Sequence, residues 1–235
     1  MNTLAVFGKI FILYSSSICR RSDTGQRNED YSFPERNRPS AANHIKMTFT
    51  EIAEKRYSVR NFSDKPVEKE KLQKILEIGR LAPTGVNWQC QRLLILEGEA
   101  MEKFRRCTFF VFGAQSGILV CYDKNAAWTS DWGTNMGSID ASMVLASMMY
   151  AAEEQGLGTI IIGGYHEPRL RELFKIPDYI IPVAALLFGY PGPSAAPHPR
   201  YHQRKPLEET VFYNDFSSAV PTEDRTELHR VKFPD

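Results

Sequence analysis

The sequence carries no marked excess of charge, no closely spaced pair of cysteines and no hydrophobic run long enough to cross a bilayer. Its 235 residues have a formal net charge of +1, which leaves no global field of the kind that concentrates nucleic acid or anionic membranes. The four cysteines form no CxxC pair, so neither a zinc knuckle nor a disulfide framework is indicated. The apolar stretch at residues 5–14 contains Lys9 and is much shorter than the ~20 residues of a spanning helix. We therefore expect a cytoplasmic protein with no nucleic-acid or membrane partner.

The common catalytic motifs are missing as well. There is no HExxH and no P-loop, and the glycines at 113–117 are off register for a nucleophile elbow. The glycines at 156–164 do not follow the GxGxxG spacing, and they lie between a predicted helix and a strand, the reverse of the Rossmann order. Metal-dependent and acyl-transfer chemistry are therefore not indicated, and we expect no metal site.

The composition, 43% hydrophobic and 24% charged, is typical of one globular domain. Residues 1–46 become rich in Ser, Arg, Asn, Asp and Pro from about residue 15, with no hydrophobic period, which predicts a disordered and dispensable extension. The folded domain would then span residues 47–215, with residues 216–235 as a C-terminal tail. After Pro191 the chain has no core-like run, so we expect an extended arm on a surface.

Short apolar runs alternate with segments of helical period, which places the chain among the α/β classes and favours a parallel sheet. One predicted helix, residues 135–155, is apolar nearly all round, so it must be buried in the domain or against a second subunit. A helix cap is expected at Thr48 or Thr50. The predicted helices lie near residues 51–57, 72–81, 135–155 and 168–175, and the predicted strands at 93–96, 117–122, 159–162 and 183–189.

Arg56, Ser58 and Arg60 are the first candidates for chemistry. In an extended chain, alternate residues point to the same side, so these side chains would face one spot. Guanidinium groups bind phosphate oxygens in pairs and supply the compensating charge. The stretch therefore predicts a phosphate site, with a solvated pair of arginines beside a helix end as the alternative.

Three further segments are weaker candidates. Asn87, in a turn-rich loop, could read the polar edge of a planar heterocycle, or could simply stabilise that loop. Gly164 would let the backbone approach a flat ligand closely and present its N–H, or could be an ordinary turn. Arg204 or Lys205 could add a cation to the phosphate site, or could lie in a solvated loop.

Taken in order, these segments resemble the motifs of the nitroreductase family. The family's R-x-S-x-R/K-x-F element is similar to residues 56–62, and its A-P-S/T-x-x-N-x-Q element to residues 82–89. Its apolar helix ending in G-L-G-T looks like residues 137–159, and its late G-Y-P and R-x-P/K-P-L-E-E elements look like residues 189–191 and 204–209. The similarity covers roughly residues 49–211.

The resemblance implies an α+β fold with a central, mainly antiparallel sheet flanked by helices, and an intertwined homodimer with an FMN in each of two interface sites. It implies that the chemistry belongs to the FMN, with no catalytic side chain, and that NADH or NADPH supplies hydride for a small-molecule acceptor. The implied FMN-binding residues are Arg56, Tyr57, Ser58, Arg60, Asn87, Gln89, Gly163, Gly164, Arg204 and Lys205.

The resemblance is incomplete near the expected acceptor site. The family often has Pro-Trp after the glutamine, where this chain has Cys90-Gln91, and an acidic residue where this chain has Gly163. Trp128 and Trp132 are candidates for stacking on the acceptor or for core packing. The predicted function is an NAD(P)H oxidoreductase for nitroaromatics or quinones. The alternatives are a flavin-binding storage or sensing protein, a reductive dehalogenase and a flavin-cleaving enzyme.

Overall fold

A computed structural model describes residues 47–222 of the chain. The predicted disordered extension, with its short apolar stretch, and the tail beyond residue 222 lie outside the described residues. Among those described, no helix is both long and apolar enough to cross a membrane.

The centre of the domain is a four-stranded sheet in the order β1-β2-β4-β3, in which all neighbouring strands are antiparallel. The α+β fold with an antiparallel sheet is therefore confirmed, and the parallel sheet suggested by alternation of elements is wrong. The reason is that β1 ends at Glu97, opposite Ser116 of β2, so the chain re-enters the sheet at the end it has just left. The strands are β1 (Gln91–Glu97), β2 (Ser116–Asp123), β3 (Gly158–Ile162) and β4 (Ile180–Gly189).

Within residues 47–222, five α-helices surround the sheet, and four of them were predicted. Thr48 caps the first through a reciprocal hydrogen-bonded box with Glu51. The helix that the sequence did not reveal follows β1 and is seven residues long, so only Met101 and Phe104 mark its buried side. The helices are α1 (Phe49–Lys55), α2 (Lys69–Arg80), α3 (Glu99–Arg105), α4 (Gly137–Glu154) and α5 (Glu167–Phe174).

The two faces of the sheet carry separate hydrophobic clusters. Ile118 and Val120 of β2 belong to the cluster that includes α4 and α2, whereas Leu119 and Cys121 belong to the cluster that includes α3 and α5. This alternation is the period of two expected for a strand covered on both faces. Helices therefore flank the sheet on both sides, and α4 spans one face.

α4 is buried along most of its length, as its apolar composition predicts, but one strip is open. Ile139 is 49% exposed and Met143 is 44% exposed. The neighbouring α2 packs closely on α4, since a Cβ at Gly79 would lie 2.6 Å from Met148 Cγ. Ile78 of α2 and its C-cap residue Leu81 are exposed. Within the described part of the chain, these apolar side chains of two adjacent helices remain uncovered.

Candidate functional site

The predicted phosphate-binding stretch is extended and runs beside β3. Ser58 forms a parallel bridge with Thr159, and the Val59 N–H donates to the Thr159 carbonyl at 2.9 Å. Val59 is 1% exposed and packs so closely that a Cβ at Gly158 would lie 2.5 Å from Val59 Cγ2. Because Val59 faces the core, its neighbours Ser58 and Arg60 face the opposite side.

Ser58 and Arg60 line an open cavity of about 350 Å³. The structure brings together five of the predicted residues there, Arg56, Tyr57, Ser58, Arg60 and Arg204. Lys205 is not among the lining residues, and its Nζ lies 3.0 Å from Glu209 Oε2. The residues that complete the lining, and that the sequence analysis missed, are His198, Arg200 and Tyr201.

The missed residues come from a 3-10 turn, Pro199–His202, and from its N-cap, His198, in the arm that follows β4. The arm is attached to α1, because the Tyr201 hydroxyl donates to the Glu54 carbonyl and the rings of Tyr57 and Tyr201 meet edge to face, 6.4 Å apart. The signal available in the sequence was the basic and aromatic run ahead of Arg204, but spacing alone could not show that the arm returns to α1.

The cavity is strongly positive. Four guanidinium groups, those of Arg56, Arg60, Arg200 and Arg204, line it, and no carboxylate does so among residues 47–222. Arg204 Nη1 donates to the carbonyls of Tyr201 and Gln203, and its guanidinium carbon lies 5.4 Å from the Tyr201 ring centroid. Because guanidinium groups attract oxyanions, the arrangement suits a phosphate group.

Glu153, near the C-terminal end of α4, lies close to this stretch. Its Oε1 is 3.7 Å from Lys55 Nζ, and the residue is only 7% exposed. Burial raises the pKa of the Glu153 carboxyl, and the nearby charges of Lys55 and Arg56 only partly offset this effect. The carboxylate is thus less stable in the fold than in the unfolded chain.

We expect Glu153→Gln to stabilise the protein at about pH 8 and to have no effect at about pH 3.5, below the ordinary pKa of a glutamate. A raised folded-state pKa means that wild-type stability falls as the pH rises and the carboxyl ionises, whereas the amide carries no such penalty. Urea unfolding at both values measures the difference. A variant that is less stable than wild type at about pH 8 would show that the pair with Lys55 outweighs burial.

The loop that contains Asn87 and Gln89 joins α2 to β1. It includes a 3-10 turn, Gly85–Asn87, and both polar side chains are exposed. The Gly85 N–H donates to Asp140 Oδ1 at 2.8 Å, and a Cβ at Gly85 would lie 3.3 Å from Met136 Cβ. The loop is therefore attached to the N-terminal end of α4.

Within one protomer, the Asn87 loop is not part of the arginine cavity. Asp140 supports the loop and Glu153 lies beside the arginine stretch. The two acids are separated by thirteen residues of α4, about 20 Å at the rise of an α-helix. Asn87 and Gln89 are thus held at the opposite end of α4 from Arg56.

Gly163 and Gly164 directly follow β3. They lie about 13–16 Å along the strand direction from the bridge between Ser58 and Thr159, at the usual rise per residue. A Cβ at Gly163 would meet nothing within 4 Å, and one at Gly164 would approach only the Phe110 ring, at 3.4 Å. Thr108 Oγ1 donates to the Gly164 carbonyl at 2.6 Å. The backbone here is held in place and is accessible to a ligand.

The two tryptophans differ in their surroundings. Trp132 is 91% exposed, in a turn in which the Ser130 N–H donates to the Thr134 carbonyl, so it does not pack in the core of this protomer. Trp128 is partly buried, and its Cβ would lie 3.6 Å from a Cβ at Gly85. Both residues therefore belong to the end of α4 that carries the Asn87 loop.

Comparisons with known proteins agree with this fold. The model of the nitroreductase family matches residues 53–109 and 106–190. A nitroreductase family protein of Clostridium difficile 630, of known crystal structure, is 40% identical, with a TM-score of 0.67, over 72% of this chain and 99% of that chain. The FMN reductase [NAD(P)H] of Bacillus subtilis (strain 168) is 28% identical over 179 residues, which are 67% of this chain and 71% of its own length. An NADPH-dependent oxidoreductase of Staphylococcus aureus (strain USA300) is 25% identical over 193 residues, 73% of this chain and 75% of its own. The chain belongs to the nitroreductase family.

Proposed function

We propose that this protein is an FMN-dependent oxidoreductase that uses NADH or NADPH to reduce a small electron-poor acceptor, such as a nitroaromatic compound or a quinone. The observation that carries the proposal is the positive cavity at the start of β3, lined by Arg56, Arg60 and Arg204. Family membership and the names of the Bacillus and Staphylococcus relatives support it.

The residues present fit FMN. The cavity offers several guanidinium groups and the Ser58 hydroxyl to a terminal phosphate dianion, with no competing carboxylate in its described lining. The accessible backbone of Gly163 and Gly164 lies about 13–16 Å away along β3, a separation comparable with the length of an extended FMN molecule. Arg56, Ser58, Arg60 and Arg204 would hold the phosphate and ribityl end, and the two glycines would lie beside the ring.

When bound, FMN supplies the redox chemistry by accepting hydride from the nicotinamide and passing reducing equivalents to the acceptor. The protein's own part is to hold the phosphate, to present backbone at Gly163 and Gly164, and to leave room for two substrates in turn. Trp132, exposed in the turn that precedes α4, is suited to stack on a flat acceptor. No side chain is assigned as an acid or base.

The protein acts as a homodimer in this proposal. The open apolar strip on α4 and α2, with Ile139 and Met143 exposed, is a surface that a second copy would cover. In a twofold dimer with antiparallel α4 helices, the N-terminal end of one lies beside the C-terminal end of the other. Asn87 and Gln89 of one protomer would then reach the FMN held by the arginines of its partner.

We expect Met143→Asp to shift the protein from dimer to monomer, because it places a charge within the apolar strip, where burial of an unpaired carboxylate is costly. Size-exclusion chromatography with light scattering measures the change. Gln73→Asp is the matched control, since Gln73 is exposed on α2 among polar residues. A variant that stays dimeric at micromolar concentration would place the interface elsewhere.

The function is tested first by the absorbance spectrum of the purified protein and then by NADH and NADPH oxidation with nitroaromatic and quinone acceptors. We expect flavin bands and nicotinamide oxidation that depends on the acceptor. A bound flavin that reduced nicotinamides cannot bleach would instead identify a flavin-binding storage or sensing protein. Loss of the flavin bands in air, with a new product, would indicate cleavage of the flavin.

A further inference from the structure

Asp140, in the first turn of α4, is a buried acid that contacts both ends of the Asn87 loop. It is 2% exposed. Its Oδ1 accepts the Gly85 N–H at 2.8 Å, and its Oδ2 accepts the Cys90 S–H at 3.4 Å. Cys90 is fully buried, and burial, followed by the hydrogen bond to Asp140, raises its thiol pKa to about 11. At neutral pH the thiol is thus protonated and able to donate.

The backbone between these two contacts is strained. Val86, Asn87 and Gln89 have positive φ angles of 46°, 59° and 50°. Residues other than glycine adopt this conformation at a steric cost, which is smaller for asparagine, and a β-branched valine is among the least tolerant. Such a sequence of angles persists only where the surroundings hold it in place.

The residues of this loop are little buried within the protomer. Val86 is 51% exposed and Trp88 is 54% exposed, and Asn87 and Gln89 are exposed as well. Within the loop, the Gln89 N–H donates to Thr84 Oγ1 and the Asn87 N–H to the Thr84 carbonyl. The Asp140 side chain joins both ends of the loop to α4.

We propose that Asp140 is a positioning residue, which holds the two ends of the Gly85–Cys90 loop so that Asn87 and Gln89 keep the orientation in which they contact the flavin. The inference rests on the proposed FMN site, but the hold on the loop does not require FMN. It can therefore be tested in flavin-free protein, separately from cofactor binding.

The experiment compares Asp140→Ala, Asp140→Asn and the exposed control Asp178→Ala. Hydrogen exchange of flavin-free protein measures the loop, and fluorescence titration measures the FMN dissociation constant. Asp140→Ala should speed exchange at residues 85–90 selectively and raise the dissociation constant about 10-fold or more, because two contacts to a charged group are lost. Asp140→Asn keeps an acceptor for Gly85, so its dissociation constant should rise less than about 3-fold.

A double variant distinguishes positioning from a general structural role. Val86→Gly removes a residue that tolerates positive φ poorly, because glycine adopts this conformation without steric cost. We therefore expect Asp140→Ala/Val86→Gly to recover part of the lost FMN affinity. Recovery would support the proposal, and an affinity no better than that of Asp140→Ala alone would overturn it.

Three other outcomes also test the role of Asp140. If Asp140→Ala speeds exchange at the loop but binds FMN as tightly as wild type, the loop does not position the flavin and the proposal fails. If Asp140→Ala does not fold, Cys90→Ala takes its place, because it removes one of the two contacts between Asp140 and the loop. Unchanged loop exchange in that variant would overturn the proposal. If wild type binds no FMN but Asp140→Ala still speeds hydrogen exchange in the loop, the proposed FMN site is wrong. The contacts by which Asp140 restrains the loop would then still be supported.

Discussion

Replacing Arg56 by alanine should raise the FMN dissociation constant by about 10- to 150-fold, or about 1.5–3 kcal/mol, the usual value of a hydrogen bond to a charged group. Arg56 lines the positive cavity at the end of α1, where its guanidinium would contact the phosphate. Titration of flavin-free protein with FMN, followed by flavin fluorescence, measures the constant. Riboflavin, which has no phosphate, should bind the variant and wild type alike.

Lys124→Ala is the matched control for this variant. It removes one positive charge from an exposed residue after β2, at the opposite end of the sheet from the bridge between Ser58 and Thr159. FMN affinity should not change in the control. If Arg56→Ala binds FMN as tightly as wild type, the phosphate lies outside this cavity, and the assignment of the whole arginine stretch is wrong.

Phe104→Ala should lower the free energy of unfolding by about 3–5 kcal/mol, the usual cost of truncating a buried phenylalanine. Phe104 is fully buried in the hydrophobic cluster between the sheet, α3 and α5. Urea unfolding followed by circular dichroism, with wild type at the same protein concentration, gives the difference.

Glu102→Ala controls for changes in α3 itself, because Glu102 is exposed on the same helix and forms an ion pair with Arg105. Its effect should stay within about 0.5 kcal/mol. A loss of less than 1 kcal/mol for Phe104→Ala, well below the usual range, would contradict the packing of α3 on the sheet.

The sequence predicts local structure better than strand direction. Apolar runs, turn residues and helical period identified four helices and all four strands of residues 47–222, because these signals are local to each segment. These signals do not say whether the chain returns to the sheet end it has left. The antiparallel sheet was therefore predicted from the family resemblance alone, and the pairing of Glu97 with Ser116 comes from the structure. α3 was missed because it is short and, unlike α1 with its Thr48 cap, it follows Gly98 and has no side-chain cap.

The same limit applies to the candidate site. Alternation along residues 56–60 was enough to place Ser58 and Arg60 on one side, because extended chains have a fixed period. The contribution of Arg200 depends on the arm folding back so that Tyr201 meets Glu54, a contact between residues far apart in the chain. The position of Asn87 at the other end of α4 likewise depends on its buried partner Asp140.

The attachment of the arginine stretch and the Asn87 loop to opposite ends of α4 has a genetic consequence for a twofold dimer. Each FMN site would combine motifs encoded by two copies of the chain. A subunit with a damaged arginine stretch would still contribute an intact Asn87 loop to the FMN site of its partner subunit. Alleles damaged in different motifs would therefore complement each other in mixed dimers, whereas alleles damaged in the same motif would not.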